Sequence, residues 1–128
     1  VPAKAGEPFA GPVTRDRLRE LAKRYDEDVI FVFRGELNIE PESLTEKELL
    51  STEHVVYIRY RGLLYLARQK RVLVLKGNEK MDQFAGSVSP EQREERWRNL
   101  SVDGLKTLAQ EARKLLHSHK FEKRQSAY

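Results

Sequence analysis

The sequence predicts an α+β fold: a mainly antiparallel sheet of three or more strands with helices packed on one face, in the order helix, strand, hairpin, helix. Three observations carry that expectation. Apolar residues recur at helical spacing in two stretches, at Leu18, Leu21, Ala22 and Tyr25 and again at Leu105, Leu108, Ala109, Ala112, Leu115 and Leu116. Between them lie β-branched and aromatic runs at 29–33, 55–60 and 71–75, the second placing Val56, Ile58 and Tyr60 on one side and Val55, Tyr57 and Arg59 on the other. At 128 residues, the chain has room for one continuous core but not for two.

Residues 1–13, with Pro2, Gly6, Pro8 and Gly11, lack an apolar period and read as a flexible arm. A single domain is expected over 14–119, followed by a basic tail over 120–128. Thr14 is placed to cap the first helix, and Val13 and Leu18 stand at the spacing of a hydrophobic staple. The run 29–33 suits a strand buried on both faces, and Leu37 and Ile39 continue the phase of Phe31 and Phe33. Gly35 is expected to mark a bulge or bend. Pro41 ends the strand, and Ser43 with Glu46 has the spacing of a capping box for a short helical turn over 44–50.

A second strand from His54 extends past Gly62 to Ala67, turns at 68–70 and returns over 71–76. Residues 77–89 read as a loop. Ser89, Pro90 and Gln92 combine a cap, a proline at the first helical position and a reciprocal amide, the strongest helix start in the chain. That helix is expected to pause near Ser101 and Gly104. Phe31, Phe33, Val56, Ile58, Leu73, Leu105, Leu108 and Leu115 share the apolar phase of their elements and form the expected core.

Composition narrows the function classes. The chain is 39% hydrophobic and 34% charged, so a thin core lies under a heavily charged surface. Absence of cysteine excludes disulfides and thiolate metal sites. No apolar run approaches the roughly 18 residues of a membrane-spanning helix. The net charge of +4 is unevenly spread. Residues 28–52 set Arg34 and Lys47 against six acids, while 53–80 set seven basic residues against Glu53 and Glu79. Such a division suits internal pairing or two oppositely charged contact surfaces.

Catalytic, metal and cofactor constellations are not expected. His117 and His119 splay apart on a helix, and His54 has no carboxylate or serine relay within its own stretch. Asp26, Glu27 and Asp28 lack the alternating oxygen ligands of a calcium loop, and the glycines are too scattered to cradle a phosphate. A basic, aromatic strand is a better candidate. Tyr57, Arg59, Arg61, Tyr65, Arg68, Lys70 and Arg71 together have the composition of a surface that stacks single-stranded bases and tracks phosphates. Nucleic-acid binding therefore stands as the second reading. Its bland counterpart is a half-buried strand whose tyrosines close the core edge.

The leading reading comes from a resemblance. Residues 18–25 leading into 28–35, a helix and an acidic joint feeding a buried strand that closes on Gly35, resemble a recurring unit of bacterial envelope lipoproteins. These are the curli-secretion-channel lipoprotein group and the similar N-terminal domain of the Tol-system β-propeller protein. The hairpin at 55–76 and the helix at 92–116 extend the likeness across about 14–116. Glu27 stands where the family has a small residue, and Arg68-Gln69-Lys70 departs from its usual turn. The resemblance implies a non-catalytic periplasmic or outer-membrane-anchored domain, held through the Pro/Gly arm by a lipid on a cysteine upstream of Val1. It would act in envelope assembly or secretion through other envelope proteins or self-association. It transfers no functional residue. The exposed strand continuation with Glu36, Asn38 and Glu40 is the expected contact, because an unpaired strand edge accepts another strand.

Overall fold

The computed structural model describes the backbone of residues 11–126 and the side chains of residues 11–118. The first helix, α1 (Arg15–Tyr25), starts where the Thr14 hydroxyl accepts a hydrogen bond from the Arg17 amide at 3.2 Å. It stops at Asp26, which turns left-handed with φ 50°. That reversal feeds the chain into β1 (Val29–Glu40), which pairs antiparallel with β2 (His54–Leu66) from Val29 opposite Leu66 to Glu40 opposite Val55. The ladder runs through Gly35 opposite Tyr60 without a break, so the bulge expected at Gly35 does not form. The glycine serves a neighbour instead: a Cβ there would lie 2.7 Å from Cε1 of Tyr60.

The short helix α2 (Glu46–Ser51) begins two residues later than the Ser43–Glu46 spacing suggested. Thr45 and Glu48 form the capping box, each side chain bonded to the other's backbone amide at 3.2 and 3.3 Å. Ser43 sits at φ 65°, outside the extended conformation a cap requires. After β2 the chain turns at 67–70 into β3 (Arg71–Val74), as the hairpin reading expected.

The stretch expected as a loop contains a strand, β4 (Asn78–Phe84), paired with β2 from Asn78 opposite Tyr60 to Phe84 opposite His54. Its pattern is poorly apolar because much of its helix-facing side is held by polar contacts. Arg96 grips Asp82 at 2.6 and 2.9 Å, and the Asn78 amide donates to the Gly104 carbonyl at 3.0 Å. β3 and β4 are one strand interrupted by a bulge, residues 75–77 standing opposite Arg61 and Gly62 alone. Gly77 makes the bulge possible: its φ is +83°, and a Cβ would meet the Tyr60 carbonyl oxygen at 2.6 Å. The Glu111 carboxylate accepts from the amides of Lys76 and Gly77 at this break.

The last helix, α3 (Pro90–Ser126), opens on the expected Ser89–Gln92 capping box. It runs unbroken through Ser101 and Gly104, where a pause was expected, and on through residues expected as a tail. Gly104 is buried, with a ring of β2 against it, and acts as a contact instead of a breaker.

The α+β class and the antiparallel sheet are as the sequence predicts, but the helices divide between two faces. Ile58, Tyr60, Leu64 and Leu75 pack with Leu108 and Ala112 of α3. On the other face, Tyr65, with Ile30, Val32, Leu63 and Val72, packs with Leu18 and Ala22 of α1. Alternate residues of a strand point oppositely, so an apolar run in β1 and β2 serves both layers. Most of the expected core holds. Val56, Ile58 and Leu108 are buried, while Phe31, Leu73, Leu105 and Leu115 are partly buried around them. Phe33 is the exception, 48% exposed, because α3 lies over β2 and β4 and leaves the upper half of β1 uncovered.

Candidate partner-binding site

β1 is an edge. In the sheet order β1, β2, β3, with β4 also on β2, the outer side of β1 has no strand beside it among the described residues. Its backbone donors and acceptors on that side are available to another chain. The expected contact residues Glu36, Asn38 and Glu40 all lie on this strand, pointing to the α1 side but above the reach of α1. Asn38 and Glu40 are exposed and Glu36 is half-buried.

Much of this open face is paired charge. Arg34 lies 3.6 Å from Glu36, and Arg59 donates twice to Glu79, at 3.1 and 2.9 Å. The Tyr57 hydroxyl donates to Glu40 at 3.3 Å. The Glu40 carboxylate, then partial burial, that hydrogen bond and finally Glu79 raise the Tyr57 phenol above its usual 10.0. A shallow depression of about 650 Å³ lies beside Leu37, Glu40, Tyr57 and Arg59. The opposite face of β1 presents Phe33 and Leu37, 48% and 42% exposed, with the Phe31 ring tilted against Phe33, centroids 5.4 Å apart. Sequence reasoning placed Phe33 in the core and missed this apolar strip. The alternation of Phe31, Phe33, Leu37 and Ile39 was the signal, but the width of sheet one helix covers is not written in that pattern.

The basic, aromatic set does not converge on one surface. Tyr65 is 2% exposed and lies beneath α1, so its ring offers nothing to a base. Tyr57, Arg59 and Arg61 share the open face, while Arg71 alternates to the other side. Arg68 pairs with Asp28 at 3.1 Å, and Lys70 sits in the turn at φ 53°. Arg61, Lys70 and Arg71 are exposed.

The remaining chemistry-bearing side chains take structural places. His54 is 2% exposed, with Nδ1 2.7 Å from the Thr52 carbonyl oxygen and its ring stacked on Phe84 at 4.7 Å. Asp26 ends α1 through its backbone N–H, and the Asp28 carboxylate holds Arg68. His117 is exposed on α3, and the His119 side chain lies outside the described residues. Among the described residues no three His, Asp or Glu side chains gather as a metal site, and no helix is long and apolar enough to cross a membrane. Comparison with known protein families, with curated proteins and with solved structures finds no match.

Proposed function

We propose that this domain is a non-catalytic protein-binding module of the cell envelope, with β1 as its contact strand. The observation that carries the reading is the coincidence, on one strand, of an unpaired edge and an exposed apolar pair, Phe33 and Leu37. An edge supplies main-chain hydrogen bonds, and alternate side chains supply selectivity, which is how strand addition recognises a partner. The ion pairs of Arg59 and Arg68 and the burial of Tyr65 weigh against the nucleic-acid alternative. The envelope assignment rests on the likeness of the helix, acidic joint and strand to envelope lipoproteins, and implies that the native gene places a lipid-modified cysteine ahead of the Pro/Gly arm.

A photo-crosslinking residue at Asn38, in the full-length protein in its native cells, tests the contact strand. Arg98, exposed on α3, is the control position. A discrete adduct at Asn38 and none at Arg98 is expected, in the membrane fraction. Equal labelling at both positions, or none, removes the contact strand; an adduct confined to the cytoplasm removes the envelope.

A further inference from the structure

We infer that the partner of β1 is a second copy of this chain, joined antiparallel, β1 to β1, about a two-fold axis passing through Gly35. The inference deepens the reading of β1 as a contact strand and rests on it.

The two edges of the sheet are unequal. The β3–β4 edge is broken by the bulge at 75–77, whose amides are taken by Glu111 of α3. β1 is a single unbroken strand along its whole length. A two-fold axis perpendicular to the sheet joins two copies of β1 antiparallel and keeps like faces together. The numbers of opposing residues then add to one even total, so only a few registers exist, and side-chain chemistry sorts them.

With the axis at Gly35, Arg34 faces the second copy's Glu36, and Glu36 faces the second copy's Arg34. On the other face, Phe33 meets the second copy's Leu37, and Phe31 meets the second copy's Ile39. The two exposed apolar residues of β1 thus cover each other, and two opposite-charge pairs form across the seam. Towards the ends, Val32 faces Asn38 and Ile30 faces Glu40, which neither favours nor opposes the register.

The neighbouring registers fail. An axis at Arg34 opposes Arg34 to itself, and one at Glu36 opposes Glu36 to itself. An axis at Phe33 sets Arg34 against Val32. An axis at Leu37 sets Arg34 against Glu40, but at the last residue of a shortened ladder, and it leaves Phe33 opposite Pro41, beyond the strand, with its ring uncovered. Gly35 suits the axis for a further reason. It has no side chain on the apolar face, where the Tyr60 ring already fills the space, so nothing stands between the two copies of Phe33 and Leu37. In the single chain, Arg34 and Glu36 sit 3.6 Å apart with Arg34 80% exposed, and each can turn to the other copy without losing a buried contact.

The chain has no cysteine and 14.9 kDa of mass, which makes the test direct. Sedimentation of the purified chain is expected to give twice that mass. R34E alone and E36R alone each place like charges opposite one another at both positions, and each is expected to weaken the dimer at least about tenfold. Mixed in equal amounts, the two variants restore opposite charges at both positions, and the dimer returns. That recovery also shows that neither variant failed to fold. Differently tagged R34C and E36C chains should cross-link to each other on oxidation, and more readily than either does with itself. A wild-type monomer, charge variants that both stay dimeric, or a mixture that stays monomeric overturns the proposal. The Asn38 adduct in cells separates the two readings. A monomer that still yields an adduct of another mass ends self-pairing and keeps partner binding, while a monomer with no adduct ends both.

Discussion

Gly104 of α3 meets the Tyr60 ring of β2 at a distance that excludes a side chain: a Cβ on Gly104 would lie 2.7 Å from Cδ2 and 2.8 Å from Cε2. The opposite edge of the same ring is hemmed in by Gly35 of β1. Two glycines far apart in sequence therefore make one slot, and the tyrosine fills it at 7% exposure.

Gly104→Ala measures that slot. In an exposed helix the change gains about 1 kcal/mol from helix propensity. Here the ring cannot retreat, because Gly35 closes its other side, and overpacking of this kind costs about 1–3 kcal/mol. A net loss of stability is expected in urea unfolding. In a Tyr60→Leu background the same substitution should become neutral or stabilising. A gain in the wild-type background would show that the slot is slack.

Phe84 and Phe33 should part company. Phe84 is fully buried on the α3 side, between the His54 ring and the Arg96 guanidinium, the latter 3.8 Å from its centroid. Phe84→Ala is expected to cost about 3–5 kcal/mol, as emptying a core site does. Phe33 is half exposed, and Phe33→Ala should cost only about 1 kcal/mol in a chain kept monomeric by dilution. Equal losses would mean that β1 is covered on its apolar side.

Tyr57 should ionise later than an ordinary tyrosine, and Glu40→Gln should lower its pKa, read by ultraviolet difference titration against Tyr57→Phe. The raised value means that the folded chain favours the neutral phenol. That contribution to stability is fully present below the unfolded value near 10 and is lost as pH rises through the folded one. An unchanged titration in Glu40→Gln would place the cause elsewhere.

Single-stranded DNA and RNA should bind only in low salt. Exposed Arg61, Lys70 and Arg71 supply generic attraction to phosphate, which falls steeply as salt rises. With Tyr65 buried there is little to stack bases. Fluorescence anisotropy at physiological salt is expected to show no binding. Tight binding there, lost in Arg61→Ala, would revive the nucleic-acid reading.

Much of this architecture was legible before any coordinates, and the parts that were not share a cause. Thr14, Ser89 and Gln92 announce their helix starts because a cap is a local arrangement of three or four residues. The long strands around Phe31 and Ile58 are legible through alternation and β-branching. β4 was hidden because Asp82 and Asn78 are satisfied by Arg96 and Gly104, partners many residues away. The continuity of α3 was hidden for the same reason: a glycine reads as a break until the Tyr60 ring is seen against it. The division of the helices between two faces was equally out of reach, since a strand buried on both sides does not say which helix takes which side. Of the candidate site, the strand that carries the proposed contact residues Glu36, Asn38 and Glu40 was legible as a half-exposed continuation, while Phe33 beside them was assigned to the core.

Among the described residues, β1, β3 and β4 are each hydrogen-bonded to β2 and to no other strand. Such a hub has a signature in amide exchange. Along β2 the amides point alternately to β1 and to β3 or β4, so nearly all are held, and releasing them requires the whole sheet to open. Along β1 every second amide faces outward and should exchange freely in the single chain, giving an alternating fast and slow pattern. Peeling β1 away would leave β2, β3, β4 and α3 still joined, so β1 should open as a separate, cheaper unit before global unfolding.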